Sequence, residues 1–195
     1  MRVLVVGGGG REHALVHSFA QSPLAERVFC APGNAGTATE ADNVPLAADD
    51  LPGLLDFARR ERVDLTVVGP EAPLVAGLAD LFEEHGLAVF GPGREAARLE
   101  GSKVFAKEVM AEGGVATGVY RTHTTPESAL ADLSGRADYP LVVKADGLAA
   151  GKGVLICADE AEARAAVEAC FVSREFGRAG DVLVVEEFLS GSEVS

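Results

Sequence analysis

Along the first hundred residues, apolar and mixed stretches alternate in blocks. "RVLVV" (2–6) is a short continuous apolar run, "REHALVHSFAQS" (11–22) has helical spacing, and "RVFCAP" (27–32) is strand-like again. "DLPGLLDFARRER" (50–62) predicts a helix with Asp50 as its cap, and "DLTVVGP" (64–70) predicts a strand. "PLVAGLADLFEEHG" (73–86) predicts one helix from Pro73 to Gly86, and "LAVFGP" (87–92) closes the series. Short apolar strands separated by amphipathic helices are what a parallel sheet covered on both faces requires. The fold class expected here is α/β.

From about Glu95 the rhythm changes. "REAARLEGSKVFAKEVMAEGG" (94–114) is helical on either side of Gly101 and Ser102, "VATGVYRTHT" (115–124) suggests an edge strand, and "TPESALADLSG" (125–135) opens with a cap and a proline. Then follow a strand "YPLVVKAD", a loop "GLAAGKG" (147–153), a strand "VLICAD", a helix "EAEARAAVEACF" and a strand "GDVLVVEEFL" (180–189). The first two of these strands are too close for a parallel crossover and predict an antiparallel hairpin. The second part is therefore an α+β unit. The segment "EEFLSGSEVS" starts a further extended stretch at its end, so a longer protein is expected, of which this is the N-terminal portion.

Composition narrows the function classes. The 195 residues are 48% apolar and 24% charged, with no apolar stretch approaching the ~20 residues of a membrane span. No signal pattern precedes the first strand, and the expected compartment is the cytosol. Three cysteines without C-x-x-C spacing suggest buried thiols. A net charge of −13, no basic run, two tyrosines and no tryptophan argue against nucleic acid or an anionic membrane as partner.

Two glycine clusters carry the candidate chemistry. "VVGGGGREHAL" stands where a dinucleotide fingerprint belongs, but G-x-G-x-x-G counted from Gly7 or Gly8 ends on Glu12 or His13, and no acid follows the second strand. The glycines can serve as a tight turn, or can expose backbone N–H groups to a phosphate with Arg11 as a clamp. His13 and His17 lie four apart without the rest of a zinc motif, which favours a structural role. "APGNAG" (31–36) and "GPEAPL" (69–74) follow strands, making Asn34 and Glu71 candidates for polar contacts as well as ordinary turn residues. In the second cluster, a P-loop would need glycine at Asp146 and a hydroxyl at Gly153, and a strand rather than a helix follows. What remains is a glycine-rich turn between strands, with Lys144 before it and Lys152 within it. It is either a hairpin or a loop that folds over phosphates.

"GGREHAL" (9–15), "APGNAGT" (31–37), "VVGPEAPL" (67–74), "FGP" (90–92), "LEGSK" (99–103), "KADGLAAGKGV" (144–154) and "EEFLSG" (186–191) occur in the order seen in the phosphoribosylamine–glycine ligase (glycinamide ribonucleotide synthetase) family. The chain resembles that family over its whole length. The resemblance implies an ATP-grasp enzyme that joins glycine to 5-phosphoribosylamine through glycyl phosphate, giving glycinamide ribonucleotide, ADP and phosphate in de novo purine synthesis. It implies a Rossmann-like, pre-ATP-grasp domain at 1–101, the start of the ATP-grasp core at 102–121, its lid at 122–189, and the start of its larger part at 190–195.

By the same resemblance, Lys103 and Lys144 look like the catalytic lysines that reach the ATP phosphates. Gly147, Gly151, Lys152 and Gly153 look like the flap over them. Glu186, Glu187, Phe188 and Leu189 resemble the adenine-reading strand, and Glu193 the carboxylate near the ribose. Gly9, Gly10, Arg11, Glu12, Asn34, Gly69, Pro70 and Glu71 look like the amine substrate's side. Ligands for Mg²⁺ or Mn²⁺ are expected beyond Ser195, so this chain alone is expected to bind ATP weakly and not to catalyse. A monomer is expected of the full-length protein. Another ATP-grasp carboxylate–amine ligase, or a non-catalytic folded fragment, are the rival readings. "GGREHAL" and "APGNAGT" speak against the first.

Overall fold

A computed structural model of the chain describes residues 1–149 and 152–192. The chain divides into two compact units, Met1–Arg98 and Leu99–Ser195.

The first unit contains β1 (Arg2–Gly7), α1 (Gly10–Ala20), β2 (Arg27–Pro32), β3 (Asp42–Asn43), α2 (Leu51–Glu61), β4 (Leu65–Val68), α3 (Glu71–Ala76), α4 (Leu78–Glu84), β5 (Val89–Phe90) and the start of α5 (Arg94–Gly101). Its strands form a parallel sheet in the order β3-β2-β1-β4-β5. Successive side chains of a strand face opposite ways. Val3 and Val5 therefore pack with Val16 and Val28 on the α1 side, while Leu4 and Val6 join Leu54, Phe57 and Phe82 on the other. Both faces are covered, as the unbroken apolar strands require. Asp50 caps α2 by accepting from the Gly53 N–H at 3.1 Å.

Two features depart from the sequence pattern. The helix expected over 73–86 is two helices, because Gly77 sits at φ +96°, a left-handed conformation that ends α3 and starts α4 in a new direction. α3 itself begins at Glu71, two residues before Pro73. The two-residue β3 carries only Asp42 and Asn43, both exposed, and so lacks any apolar signature.

The second unit contains α6 (Lys103–Glu112), β6 (Tyr120–His123), α7 (Pro126–Leu133), β7 (Leu141–Ala145), β8 (Val154–Cys157), α8 (Glu160–Phe171) and β9 (Leu183–Glu187). Its sheet is antiparallel, ordered β6-β9-β7-β8, with β6 at an edge and β7–β8 forming the expected hairpin from Leu141↔Cys157 to Lys144↔Val154. Leu141, Val143, Leu183 and Val185 pack against Leu133 of α7 and Val167 of α8. Alternate residues of the same strands, Lys144 and Glu186, point to the opposite face, where Lys107 of α6 meets Glu186. β9 is shorter than expected: it ends at Glu187, and Phe188 and Leu189 follow it, both exposed.

Candidate functional site

In the first unit, β1, β2 and β4 run side by side and end at Gly7, Pro32 and Val68. The loops after them and the first turns of α1 and α3 carry Gly9, Gly10, Arg11, Glu12, Asn34, Gly69, Pro70 and Glu71 at the edge where open α/β sheets bind ligands. Glu12 gathers them. Its side chain is only 5% exposed, Oε2 accepts from the Gly9 N–H at 2.7 Å, and Oε1 faces Arg11 Nε at 3.1 Å. A Cβ on Gly7 or on Gly69 would collide with this side chain, so both glycines make room for it. Asn34 ties the first loop to the second: Nδ2 donates to Gly8 O at 3.0 Å, and Oδ1 accepts from Gly36 N at 2.7 Å and Thr37 N at 3.0 Å. Pro70 caps α3, and Glu71 Oε2 lies 3.8 Å from Arg11 Nη2.

The structure thus places Glu12 inside the loop cluster, where its carboxylate occupies the start of α1 and takes the Gly9 amide. Negative charge at a helix start is favourable, and here the protein supplies it. The basic group of the cluster is Arg11, with 65% of its side chain exposed. His13 and His17 both face Glu40, at 3.4 Å and 2.7 Å. The hydrogen bond with His17 is the main cause holding the Glu40 carboxyl below its ordinary pKa. Among the described residues, no group of three or more His, Cys, Asp or Glu side chains could hold a metal ion.

In the second unit, Lys103, Lys107, Lys144 and Glu186 line a cavity of about 460 Å³ with Met110 and Val154. The chain has four lysines, at 103, 107, 144 and 152, so three of them meet here. Asp146, which stands where a P-loop needs glycine, caps α6. Its Oδ1 accepts from Val104 N at 2.7 Å, and Ser102 Oγ donates to Oδ2 at 3.0 Å. That contact fixes the start of α6 against the end of β7 and brings Lys103 to the loop, where its Nζ donates to Gly147 O at 3.1 Å. Burial pushes the Lys103 ammonium's pKa down, Asp146 opposes the shift, and the charge of Lys144 adds to it.

Glu186 is buried between two lysines. Lys107 Nζ donates to Oε1, and Lys144 Nζ stands 2.5 Å from Oε2, off the axis of a hydrogen bond. Burial alone raises the Glu186 carboxyl's pKa, and the two ammonium groups outweigh it and bring it below the ordinary value. A buried, ionised carboxylate with one poorly aligned oxygen can still accept from a ligand N–H. Glu187 is tied to Val119 through both its backbone N–H, at 2.9 Å, and its side chain, at 2.8 Å. Lys152 is exposed, and the Gly153 carbonyl accepts from Ala145 N at 2.8 Å. Gly151 and Glu193 lie outside the described residues.

Sequence reasoning missed Lys107 and the capping role of Asp146. A signal for Lys107 existed: it lies four residues after Lys103, on the same helical face, in a chain with so few lysines. Nothing local marks Asp146, whose partners are 42 and 44 residues away. Among the described residues, no helix is long and apolar enough to cross a membrane.

Comparison with known proteins bears on both units. Residues 1–100 match the family model described as phosphoribosylglycinamide synthetase, N domain, and residues 101–195 match that described as phosphoribosylglycinamide synthetase, ATP-grasp (A) domain. The chain is 56% identical over 197 aligned residues to phosphoribosylamine–glycine ligase of Allochromatium vinosum, covering all of this chain and 46% of that protein. To the enzyme of the same name from Escherichia coli K12 it is 54% identical, with the same coverage. It therefore spans about half the length of the curated relatives it matches. The crystal structure of phosphoribosylamine–glycine ligase from Thermotoga maritima superposes with a TM-score of 0.74 at 32% identity, over 98% of this chain and 45% of that one. The biotin carboxylase domain of Hydrogenobacter thermophilus 2-oxoglutarate carboxylase shares the fold, with a TM-score of 0.71 at 23% identity over 96% of this chain and 44% of that one. One family model ends where the other begins and together they span every residue, so the chain belongs to the phosphoribosylglycinamide synthetase family.

Proposed function

We propose that the complete protein containing this chain joins glycine to 5-phosphoribosylamine at the expense of ATP, giving glycinamide ribonucleotide, ADP and phosphate. The observation that carries this reading is the convergence of Lys103, Lys144 and Glu186 on one cavity in a member of this family. The cavity's chemistry suits a nucleotide: lysines for its phosphates, a buried carboxylate for an exocyclic amine, and Met110 and Val154 as apolar surface. ATP supplies the phosphoryl group that turns the glycine carboxylate into an acyl phosphate, which the substrate amine then attacks. Lys103 and Lys144 hold negative charge that grows during the transfer. The loop from Gly147 to Gly153 excludes water from an intermediate that would otherwise hydrolyse.

The loop cluster around Arg11 and Glu71 takes 5-phosphoribosylamine, with Arg11 toward its phosphate and Glu12 and Asn34 holding the loops. The segments 1–101, 102–121, 122–189 and 190–195 serve as substrate domain, start of the core, lid, and start of the larger ATP-grasp part. Mg²⁺ or Mn²⁺ accompanies ATP, but the described residues make no site for it, so no step here is assigned to a metal. Three unpaired buried cysteines suit a reducing cytoplasm.

The test is an assay of the complete protein with ATP, glycine and freshly made phosphoribosylamine. Phosphate release that depends on both glycine and the amine is expected, and that Lys144→Met abolishes it. Release indifferent to glycine would overturn the proposal. The purified 195-residue chain is expected to bind ATP weakly and to form no product.

A further inference from the structure

We infer that Lys107 is a positioning residue: it holds the charge of Glu186 and so leaves Lys144 available to a polyphosphate. The inference rests on the nucleotide reading of the cavity. Lys107 is buried in α6, and its ammonium donates to Thr117 Oγ1 at 2.5 Å, to Gly118 O at 3.4 Å and to Glu186 Oε1. An ammonium has three protons, so these three acceptors saturate it and none remains for a ligand. The charge also lies 5.2 Å from the centroid of the Tyr120 ring, a further contact that holds it in place. Lys107 lines the nucleotide cavity without a proton to offer it.

Lys144 is different. Among the described residues its ammonium faces Glu186 Oε2 alone, poorly aligned, and a quarter of its side chain is exposed to the cavity. Two lysines thus share one carboxylate, and the three groups together carry a single positive charge. The carboxylate is ionised, since its pKa lies below the ordinary value. When an anion enters, Lys144 can turn toward it because Lys107 still neutralises Glu186. Without the Lys107 charge, Glu186 and Lys144 form a closed neutral pair. A polyphosphate would then compete with a buried carboxylate for the same ammonium, and leave that carboxylate unpaired if it won.

The probe is inorganic tripolyphosphate, which carries the phosphates without the adenine that Glu186 is proposed to read. Its binding to the complete protein is measured by titration calorimetry for wild type, Lys144→Met, Lys107→Met, Glu186→Gln and Lys107→Met/Glu186→Gln. Removing one charge from a partly desolvated site predicts binding about ten- to a hundredfold weaker for Lys107→Met. The double variant is expected to recover to within about threefold of wild type, because no carboxylate then competes for Lys144. Urea unfolding of the same variants separates the two roles: a merely structural Lys107 would weaken tripolyphosphate binding only as far as it lowers the folded fraction. Lys107→Met binding as tightly as wild type, or a double variant as weak as the single one, overturns the inference.

Should Lys107→Met fail to fold, Lys107→Met/Glu186→Gln compared with Glu186→Gln decides: a Lys107 that acts through Glu186 gives binding within about threefold of Glu186→Gln, and binding more than about tenfold weaker overturns the inference. Wild type that binds no tripolyphosphate, or binding that survives Lys144→Met, removes the nucleotide reading and the inference with it. Binding that needs Lys144 but ignores Lys107 removes only the inference.

Discussion

Replacing Gly69 with alanine should be costly for one reason, and that reason can be switched off. Gly69 follows β4, its N–H donates to Val6 O at 3.0 Å, and its φ lies outside the left-handed region, so its backbone tolerates a side chain. Space is what it lacks, because a Cβ there meets the Glu12 side chain. Glu12 has little freedom to withdraw: it is held to the Gly9 N–H at 2.7 Å and abuts Gly7 on another side. Overpacking of this kind costs about 1–3 kcal/mol. Pushing Glu12 off its bond forfeits part of the ~1.5–3 kcal/mol that a hydrogen bond to a charged group contributes. Gly69→Ala is therefore expected to destabilise the first unit by about 2–3 kcal/mol.

Glu12→Ala should cost about 2 kcal/mol, since it loses the charge-assisted bond but is relieved of a buried carboxylate. In that background the Gly69→Ala methyl enters vacated space and should cost under about 0.5 kcal/mol, a coupling of about 2 kcal/mol. The assay is urea unfolding by far-UV circular dichroism, where such a change moves the midpoint by about 1–2 M. Both tyrosines, Tyr120 and Tyr139, lie in the second unit and there is no tryptophan. Tyrosine emission thus follows that unit separately and shows which transition moved. An equal cost of Gly69→Ala with and without Glu12 would refute the steric account.

Three further outcomes follow from the second unit and the thiols. Leu133→Ala, at a fully buried site against β7 and α8, should destabilise by about 3 kcal/mol, seen as an earlier loss of the native tyrosine signal in urea. Burial pushes the Cys30 and Cys157 thiols up and Cys170 up to about 11, so iodoacetamide at pH 8 should label none of them in the native protein and all three in urea. Because the folded-state pKa of Glu186 is depressed, its contribution to stability is present above the ordinary carboxylate range and is lost as pH falls through the folded value. Unfolding free energy should therefore fall more steeply below about pH 4.3 in wild type than in Glu186→Gln, and parallel acid limbs would count against the Lys107–Glu186–Lys144 cluster.

Local chemistry was legible in the chain itself. Apolar runs without alternation announced a parallel sheet buried on both faces, and the short "GLAAGKG" link announced a hairpin. Two mismatched positions, Asp146 and Gly153, were enough to set the P-loop aside. Capping by Asp50 could be read because helix ends depend on neighbours a few residues away. The break at Gly77 could not, since a glycine within a helical pattern leaves both a continuous and a broken helix possible until packing chooses. Nor could β3, whose two polar residues pair only because β2 lies beside them.

The same division runs through the site. The glycines, lysines and carboxylates of both clusters were visible as residue types in suggestive places. Which of them is held by its neighbours and which stays exposed was decided by contacts between distant positions. Glu12 stood in the sequence beside the anion cradle, and the fold turned it inward to occupy the cradle. Lys107 looked like an ordinary helical lysine until β9 brought Glu186, 79 residues away, against it. Hydrophobic period and turn chemistry act over a few residues and so are written in order along the chain. A buried charge can be stable only where the fold delivers its counter-charge, and that is a property of the tertiary structure alone.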